Sequence, residues 1–407
     1  MQNIVIEKPY KFIPPHRGNW WPSFVQTFRL IDRWLRRSHG VVQHECRNLK
    51  RLEASLAAGH GILLTPNHSR PSDPIVMGFP ARELRTHVYA MASWHLYNQD
   101  RFSAFAIQKM GGFSVNREGV DRQAVNTAIS ILQTAERPLI IFPEGATTRI
   151  NDQLQHFLDG VSFIARTAAK RRLKSHAAGK VVVHPVAIKY FYQGDLLEAV
   201  EPTLSSIEER LTWQLATELP LIQRIVRIGG ALLSLKEIEY FGSEQKGSLR
   251  DRRSALIDRL LNPIEQEWFG GTKEKEGVVS RIKSLRMVIV PEMTRNELSR
   301  EEHRRRWKQL ASIYLVQQLS FYPEEYLRAP TSVDRVLETV EHLEEDLTDI
   351  VTPHPPYKVV IDVGESIEVS PQRDRDAETD PLMDRIRDDL QKMLDGLACE
   401  SAIYEER

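Results

Sequence analysis

The sequence predicts an α/β fold, a central sheet flanked by helices and interrupted by a large helical insertion. Three observations predict it. Short apolar runs alternate with amphipathic segments from residue 45 to residue 203. Strand signals then nearly vanish over 204–353, where charged segments with helical spacing dominate. A sheet signature returns at Tyr357-Lys358-Val359-Val360-Ile361-Asp362-Val363, followed by a helix with Met383, Ile386, Leu390, Met393 and Leu394 inward. The expected organisation is an arm and amphipathic helix at 1–44, an α/β core at 45–203 and 354–407, and a helical insertion at 204–353. Two sequential domains are the rival partition. No internal repeat stands out.

The chain has 407 residues, enough for one large domain or two ordinary ones. Its 55 Lys and Arg balance 55 Asp and Glu, so net charge argues neither for nor against nucleic acid. The basic run Arg304-Arg305-Arg306 has acidic neighbours and reads as a solvated helix face, so no nucleic-acid partner is expected. Two cysteines, Cys46 and Cys399, fit a reducing compartment. No apolar run reaches the roughly 18 residues of a membrane span, and the N-terminus lacks a signal-peptide pattern.

Residues 1–17 read as an extended arm. Ser23 can cap a helix starting just after Pro22, in which Phe24, Phe28, Ile31 and Leu35 recur at helical spacing beside Arg29, Arg33, Arg36 and Arg37. Such a helix either lies in a membrane interface or packs on its own domain with its arginines in water. The first alternative gives a cytoplasmic protein held peripherally at the inner face of a membrane. An amphipathic segment at 45–58 precedes the buried strand Gly61-Ile62-Leu63-Leu64 and the loop Thr65-Pro66-Asn67-His68-Ser69-Arg70-Pro71-Ser72-Asp73. A helix begins near Pro74. Strands are expected at 87–92, 111–117, 138–142 and 181–190, and helices at 121–134 and 157–172. Within the insertion the helical segments are 206–217, 221–236, 249–267, 299–320 and 333–350. The apolar stretch 221–233 is too short for a span and is either a buried or an interfacial helix.

Four loops, each following an apolar strand, carry complementary chemistry. His68 can take a proton from a hydroxyl, and Asp73 can hold its ring in one tautomer. Arg117 and Arg149 can bind an anion through planar donors. Glu144 can accept from a polyol or anchor a loop, and Gly145 permits close backbone approach. No Gly-x-Ser-x-Gly elbow, glycine-rich phosphate loop or metal-ligand spacing is present. A base without an evident protein nucleophile points to direct attack by a substrate hydroxyl. His184, within a strand, reads as a satisfied core histidine.

The chain resembles the glycerolipid acyltransferase family. Asn67-His68-Ser69-Arg70-Pro71-Ser72-Asp73 matches its His-x4-Asp motif, Gly112-Phe113-Ser114-Val115-Asn116-Arg117 resembles its second block, Phe142-Pro143-Glu144-Gly145 matches its third, and Val183-His184-Pro185-Val186-Ala187-Ile188 resembles its fourth. The resemblance covers roughly 45–203, with 357–398 as the closing strand and helix. It implies a mixed central sheet flanked by helices. It also implies that His68, oriented by Asp73, deprotonates an acceptor hydroxyl, which attacks an acyl thioester of coenzyme A or acyl carrier protein. No further cofactor and no metal is implied. Arg117, Glu144, Gly145 and Arg149 would bind the head of a glycerol-phosphate or lysophospholipid acceptor in phospholipid biosynthesis. Two departures stand out. Thr147 occupies the place where the third block usually carries an arginine, which here appears only at Arg149, and the insertion is larger than in simple members.

Two other functions share these residues. One is a non-catalytic relative that binds a membrane or a protein partner. The other is a thioesterase in which water replaces the acceptor.

Overall fold

The computed structural model describes residues 8–158, 160–212, 214–295, 298–322, 326–350, 352–373 and 379–406. The first part of the expected arm, residues 1–7, lies outside them. The chain divides into two compact units, one of Tyr10–Gly194 with Pro353–Ser401, the other centred on Asp195–Thr352.

The first unit is built on an eight-stranded mixed sheet. Its strands are β1 (Val41–Arg47), β2 (Gly61–Pro66), β3 (Tyr89–Ser93), β4 (Gly112–Val115), β5 (Leu139–Ile140), β6 (Val181–Tyr192), β7 (Tyr357–Val363) and β8 (Ile367–Glu368). Their order is β1-β7-β6-β2-β5-β3-β4, with β8 also on β6. Neighbours are parallel except β6 with β7 and β6 with β8. The continuous apolar runs follow from this placement. Every residue of β2 and the first ten of β6 are buried, because central strands covered on both faces have no solvent side on which to alternate.

One face carries Leu63, Val181, Val183 and Ala187, packed with helices Arg122–Thr134, Gly160–Lys174 and Pro381–Ala398. The opposite face receives helix Leu49–Ala57, whose Ser55 Oγ lies 2.9 Å from His184 Nε2. His184 Nδ1 reaches Gly364 O at 2.9 Å, so both ring nitrogens are satisfied in the core. Burial holds this imidazole below its ordinary range. β6 is one continuous strand despite Pro185. β8 pairs Val182 and Val183, and β7 begins at Val186. Pro185 O accepts from Gly364 N at 2.8 Å, so the missing N–H faces the gap between the two partners and breaks no rung.

The arm crosses the outer strand β4, with Ser114 N donating to Ile13 O at 3.0 Å and Ile13 N to Ser114 Oγ at 2.8 Å. It thereby covers a sheet edge. The expected single N-terminal helix is two helices, Trp20–Thr27 and Leu30–His39. Arg29 breaks them with a left-handed φ of 50°. Ser23 lies inside the first helix rather than at its cap, and its Oγ is 3.0 Å from His87 Nε2.

The second unit contains helices Leu196–Thr212, Leu221–Phe241, Leu249–Phe269, Val278–Arg295, Arg300–Ser320 and Val333–Thr348. The first starts before residue 204, where strand signals fade, and the fourth was absent from the sequence reading. Leu221–Phe241 buries Leu221, Ile225, Ile228 and Leu233, and leaves Val226, Leu235 and Ile238 exposed.

A repeat emerges that the sequence pattern hid. Glu208, near the end of one helix, accepts from Arg224, sixteen residues on in the first turn of the next. It also accepts from the backbone N–H of Ala216, eight residues on. Glu237 does the same with Arg252, fifteen residues on, and Gln245 N, eight residues on. Glu265 repeats it with Arg281, sixteen residues on, and Lys273 N, again eight residues on. A fourth pair, Glu292 with Arg306 at 2.9 Å, joins the next two helices. Each of the first three carboxylates thus closes a helix end, a connecting loop and the following helix start. Breaking one such buried pair leaves an uncompensated charge.

Candidate active site

β2 and β6 aim the His68 loop. Just past β2, Asn67 Nδ2 donates to Ile188 O at 2.9 Å while its Oδ1 accepts from Ile188 N at 2.7 Å. This two-point clamp fixes the backbone immediately before His68.

His68 Nδ1 lies 3.0 Å from Asp73 Oδ2. Asp73 is fully buried and is the first residue of the short helix Asp73–Val76. Its Oδ2 also accepts from Arg70 N at 2.8 Å, and its Oδ1 from the Tyr190 hydroxyl at 2.7 Å. An acceptor facing Nδ1 assigns the proton to that nitrogen in the neutral ring and leaves the lone pair on Nε2. The Phe142 ring packs against the imidazole, with centroids 4.3 Å apart.

Tyr190 is the component that sequence reasoning missed. Burial pushes its hydroxyl well above its usual range, so it remains a donor to Asp73. Ser72 Oγ, 2.8 Å from the same oxygen, therefore donates to it. The Arg70 guanidinium lies 4.4 Å above the Tyr357 ring and donates to its hydroxyl at 3.2 Å. The ordered path runs Ser72, Tyr190, Asp73, His68.

The third block forms the opposite wall. Glu144 is buried, and its Oε1 accepts from His68 N at 2.8 Å while its Oε2 accepts from Gln155 N at 2.9 Å. Burial raises its carboxyl to about 7, opposed by these two backbone donors. Of the two roles open to Glu144, contact with a polyol or anchoring of a loop, the geometry builds the anchor. Thr148 N donates to His68 O at 2.9 Å and Arg149 N to Ser69 O at 3.2 Å, so the two loops are laced together.

Gly145 has φ +69°, and an added Cβ would come 2.4 Å from Leu158 Cδ1. A side chain there would meet both backbone strain and a clash. Its carbonyl accepts from the exposed guanidinium of Arg117, which joins the second block to the third. Arg149 adopts a left-handed φ of 61° and is half-buried. Its charge and that of Arg70 reach His39, at the end of helix Leu30–His39. Burial first, and those arginines next, hold the His39 imidazole below its ordinary range. His39 thus belongs to the site's surroundings, although its sequence position at the end of an arginine-rich helix carries no such signal. Thr147, in the place of the usual arginine, sets its Oγ1 3.3 Å from His68 Nε2.

The structure therefore brings His68, Asp73 and Glu144 into one hydrogen-bonded assembly, with Gly145 next to Glu144 in the chain and Arg117 and Arg149 on the margins. Among the described residues, no group of His, Cys, Asp and Glu is arranged to hold a metal ion. A buried carboxylate and an oriented imidazole whose Nε2 faces a hydroxyl oxygen can remove a proton from a hydroxyl placed beside that nitrogen.

Residues 43–189 match the protein family described as Acyltransferase. No curated protein matches the chain. That match runs from within β1 through most of β6 and encloses the His68 assembly, so residues 43–189 are an acyltransferase-family segment, which supports acyl transfer as its general chemistry.

Proposed function

We propose that the protein is an O-acyltransferase that moves a fatty acyl group from a coenzyme A or acyl-carrier-protein thioester to a hydroxyl of a glycerol-phosphate or lysophospholipid acceptor, in phospholipid biosynthesis. The observation that carries this reading is the His68 Nδ1 to Asp73 Oδ2 contact at 3.0 Å, with Nε2 directed at a hydroxyl oxygen. In the proposed reaction the acceptor hydroxyl takes the position beside Nε2 now held by Thr147 Oγ1. His68 accepts its proton, and the oxygen attacks the thioester carbonyl. The carbon–sulfur bond then breaks, and the thiolate leaves with the proton from His68. Asp73 stabilises the imidazolium between these transfers. Arg117 and Arg149 bind the acceptor's anionic head, Gly145 gives it backbone access, and Glu144 keeps the His68 loop in place. The reaction needs no resident cofactor. The helical unit is an insertion in the acyltransferase core. The enzyme works at a cytoplasmic membrane face. Among the described residues no helix is long and apolar enough to cross the bilayer.

The test is transfer of radiolabelled acyl groups from thioester to glycerol phosphate or lysophosphatidate. His68→Ala is expected to lower kcat about 100- to 10,000-fold. Turnover that survives this substitution sinks the mechanism.

The Thr147 contact favours a second reading, in which Thr147 is acylated and then releases the acyl group to the acceptor. Thr147→Val keeps the branched shape and removes the hydroxyl. Direct transfer predicts retained turnover and no acyl-protein by mass spectrometry. A covalent route predicts lost turnover, and an acyl adduct on the wild-type chain after mixing with thioester alone.

A further inference from the structure

β2 ends at Pro66, yet β6 runs on to Tyr192. Past the Pro66–Val186 pair, β6 keeps β7 on one side as far as Tyr192 and has outrun β2 on the other. Alternate residues of a strand present their N–H and C=O groups to the same side. Ile188 and Tyr190 are the next two β6 positions facing the side that β2 has left. Each is met by a side-chain amide. Asn67 serves Ile188. Asn151 serves Tyr190, its Nδ2 donating to Tyr190 O at 2.6 Å and its Oδ1 accepting from Tyr190 N at 2.9 Å. Asn151 is fully buried. Two amides thus continue the ladder that β2 leaves unfinished.

The second amide comes from another part of the chain. Asn67 follows β2 directly, whereas Asn151 lies in the third-block segment, between β5 and helix Gly160–Lys174. Shortly before it, Thr148 N donates to His68 O at 2.9 Å. Ile150 N donates to Thr148 Oγ1 at 3.3 Å, which holds the chain between those two contacts. Just after it, Gln391 of helix Pro381–Ala398 donates through Nε2 to Asp152 O and accepts through Oε1 from Leu154 N, both at 3.0 Å. A closed circuit results. It runs from His68 through Asp73 to the Tyr190 hydroxyl, from the Tyr190 backbone to Asn151, and along Thr148 back to His68.

We infer that Asn151 is a positioning residue for the His68 base, acting through Tyr190 rather than by touching substrate. The inference rests on the proton transfer proposed above. Asp73 is fully buried, so the strand itself has to deliver the Tyr190 hydroxyl to it. A strand is freest to shift where its pairing on one side has stopped, and Tyr190 lies in that part of β6. The amide pins the backbone at the very residue whose hydroxyl is used. Without it the donor to Asp73 Oδ1 drifts, and the carboxylate is free to turn. The imidazole then loses the fixed acceptor that keeps its proton on Nδ1 and its lone pair on Nε2.

The experiment is a double-substitution cycle in the full chain, with kcat, KM and thermal melts for Asn151→Ala, Tyr190→Phe and the two together. Each single substitution should lower kcat about 10- to 100-fold with KM for the acceptor unchanged. The double variant should be no slower than the slower single one, because both act on one contact. Independent effects multiply, to about 100- to 10,000-fold, and overturn the proposal. If Asn151→Ala does not fold, Asn151→Asp takes its place in the cycle. It keeps the shape and the acceptor for Tyr190 N but loses the amide donor to Tyr190 O. A second readout is independent of turnover. The NMR signal of the His68 Nδ1 proton should move alike in Asn151→Ala and Tyr190→Phe. Gln391→Ala loosens the same segment without touching Tyr190 and should leave that signal in place. An equal shift in Gln391→Ala means general loosening and defeats the proposal. Full turnover by His68→Ala defeats the general-base reading and this inference with it. An inactive His68→Ala beside multiplying Asn151 and Tyr190 effects defeats this inference alone.

Discussion

The Tyr190 hydroxyl donates to Asp73 Oδ1 at 2.7 Å, while His68 engages the other oxygen of the same carboxylate. Asp73 is therefore held from two sides, and the strand that supplies Tyr190 sets the angle at which it meets the imidazole. Tyr190→Phe removes one charge-assisted hydrogen bond and leaves the buried Oδ1 short of a donor, a loss of about 1.5–3 kcal/mol. If that energy orients the base, kcat falls about 10- to 100-fold and KM for the acceptor is unchanged. Equal damage to kcat and KM, or a loss accounted for by a lower melting temperature, would assign Tyr190 a structural role only.

Glu144 makes stability depend on pH in an uncommon direction. Burial raises its carboxyl from 4.5 to about 7, so the folded state holds its proton over a range in which the unfolded chain has lost it. A raised folded value stabilises fully below the unfolded value and loses that contribution as pH rises to the folded one. Between about pH 4.5 and 7 this group should cost up to about 3 kcal/mol of stability, then level off. Glu144→Gln should remove that slope in urea unfolding. It should also lower stability near pH 7 by about 1–3 kcal/mol, because both Glu144 oxygens face backbone N–H groups and an amide nitrogen cannot accept from one. The same slope in wild type and variant would refute the assignment.

The helical unit offers a test of its repeated clamp. Glu237 is fully buried against Arg252 and Gln245 N. Glu237→Ala leaves the Arg252 charge with only Ser234 Oγ and the exposed Glu244, 3.3 Å away, and should cost about 3 kcal/mol. The exposed Lys236–Glu239 pair in the same helix should change stability by less than about 1 kcal/mol when Lys236 becomes Ala. Similar small effects at both positions would reduce the repeat to a coincidence of spacing.

These elements also mark what can be read from a sequence. His68 and Asp73 are legible because their contact spans one short loop, and β2 and β6 because buried strands print continuous apolar runs. Tyr190 is illegible. It reaches Asp73 across 117 residues, and its own surroundings read only as strand. The clamp is hidden for a different reason. One of its contacts is a backbone N–H, so Ala216, Gln245 and Lys273 serve alike at the eighth position. Its Glu and Arg are lost among 110 charged residues, 55 of each sign. The break at Arg29 leaves no mark, because arginine is not a residue that announces a left-handed turn.

β7 enters the sheet between β1 and β6, although its residues follow the whole helical unit in the chain. During synthesis the ribosome must deliver Asp195–Thr352 before β1 can find its neighbour, a wait on the order of ten seconds or more. Until then β1 has no pairing partner, and the β7 side of β6 stays an open edge. The nascent core is thus a half-closed sheet, and it closes only after the whole helical unit has been made.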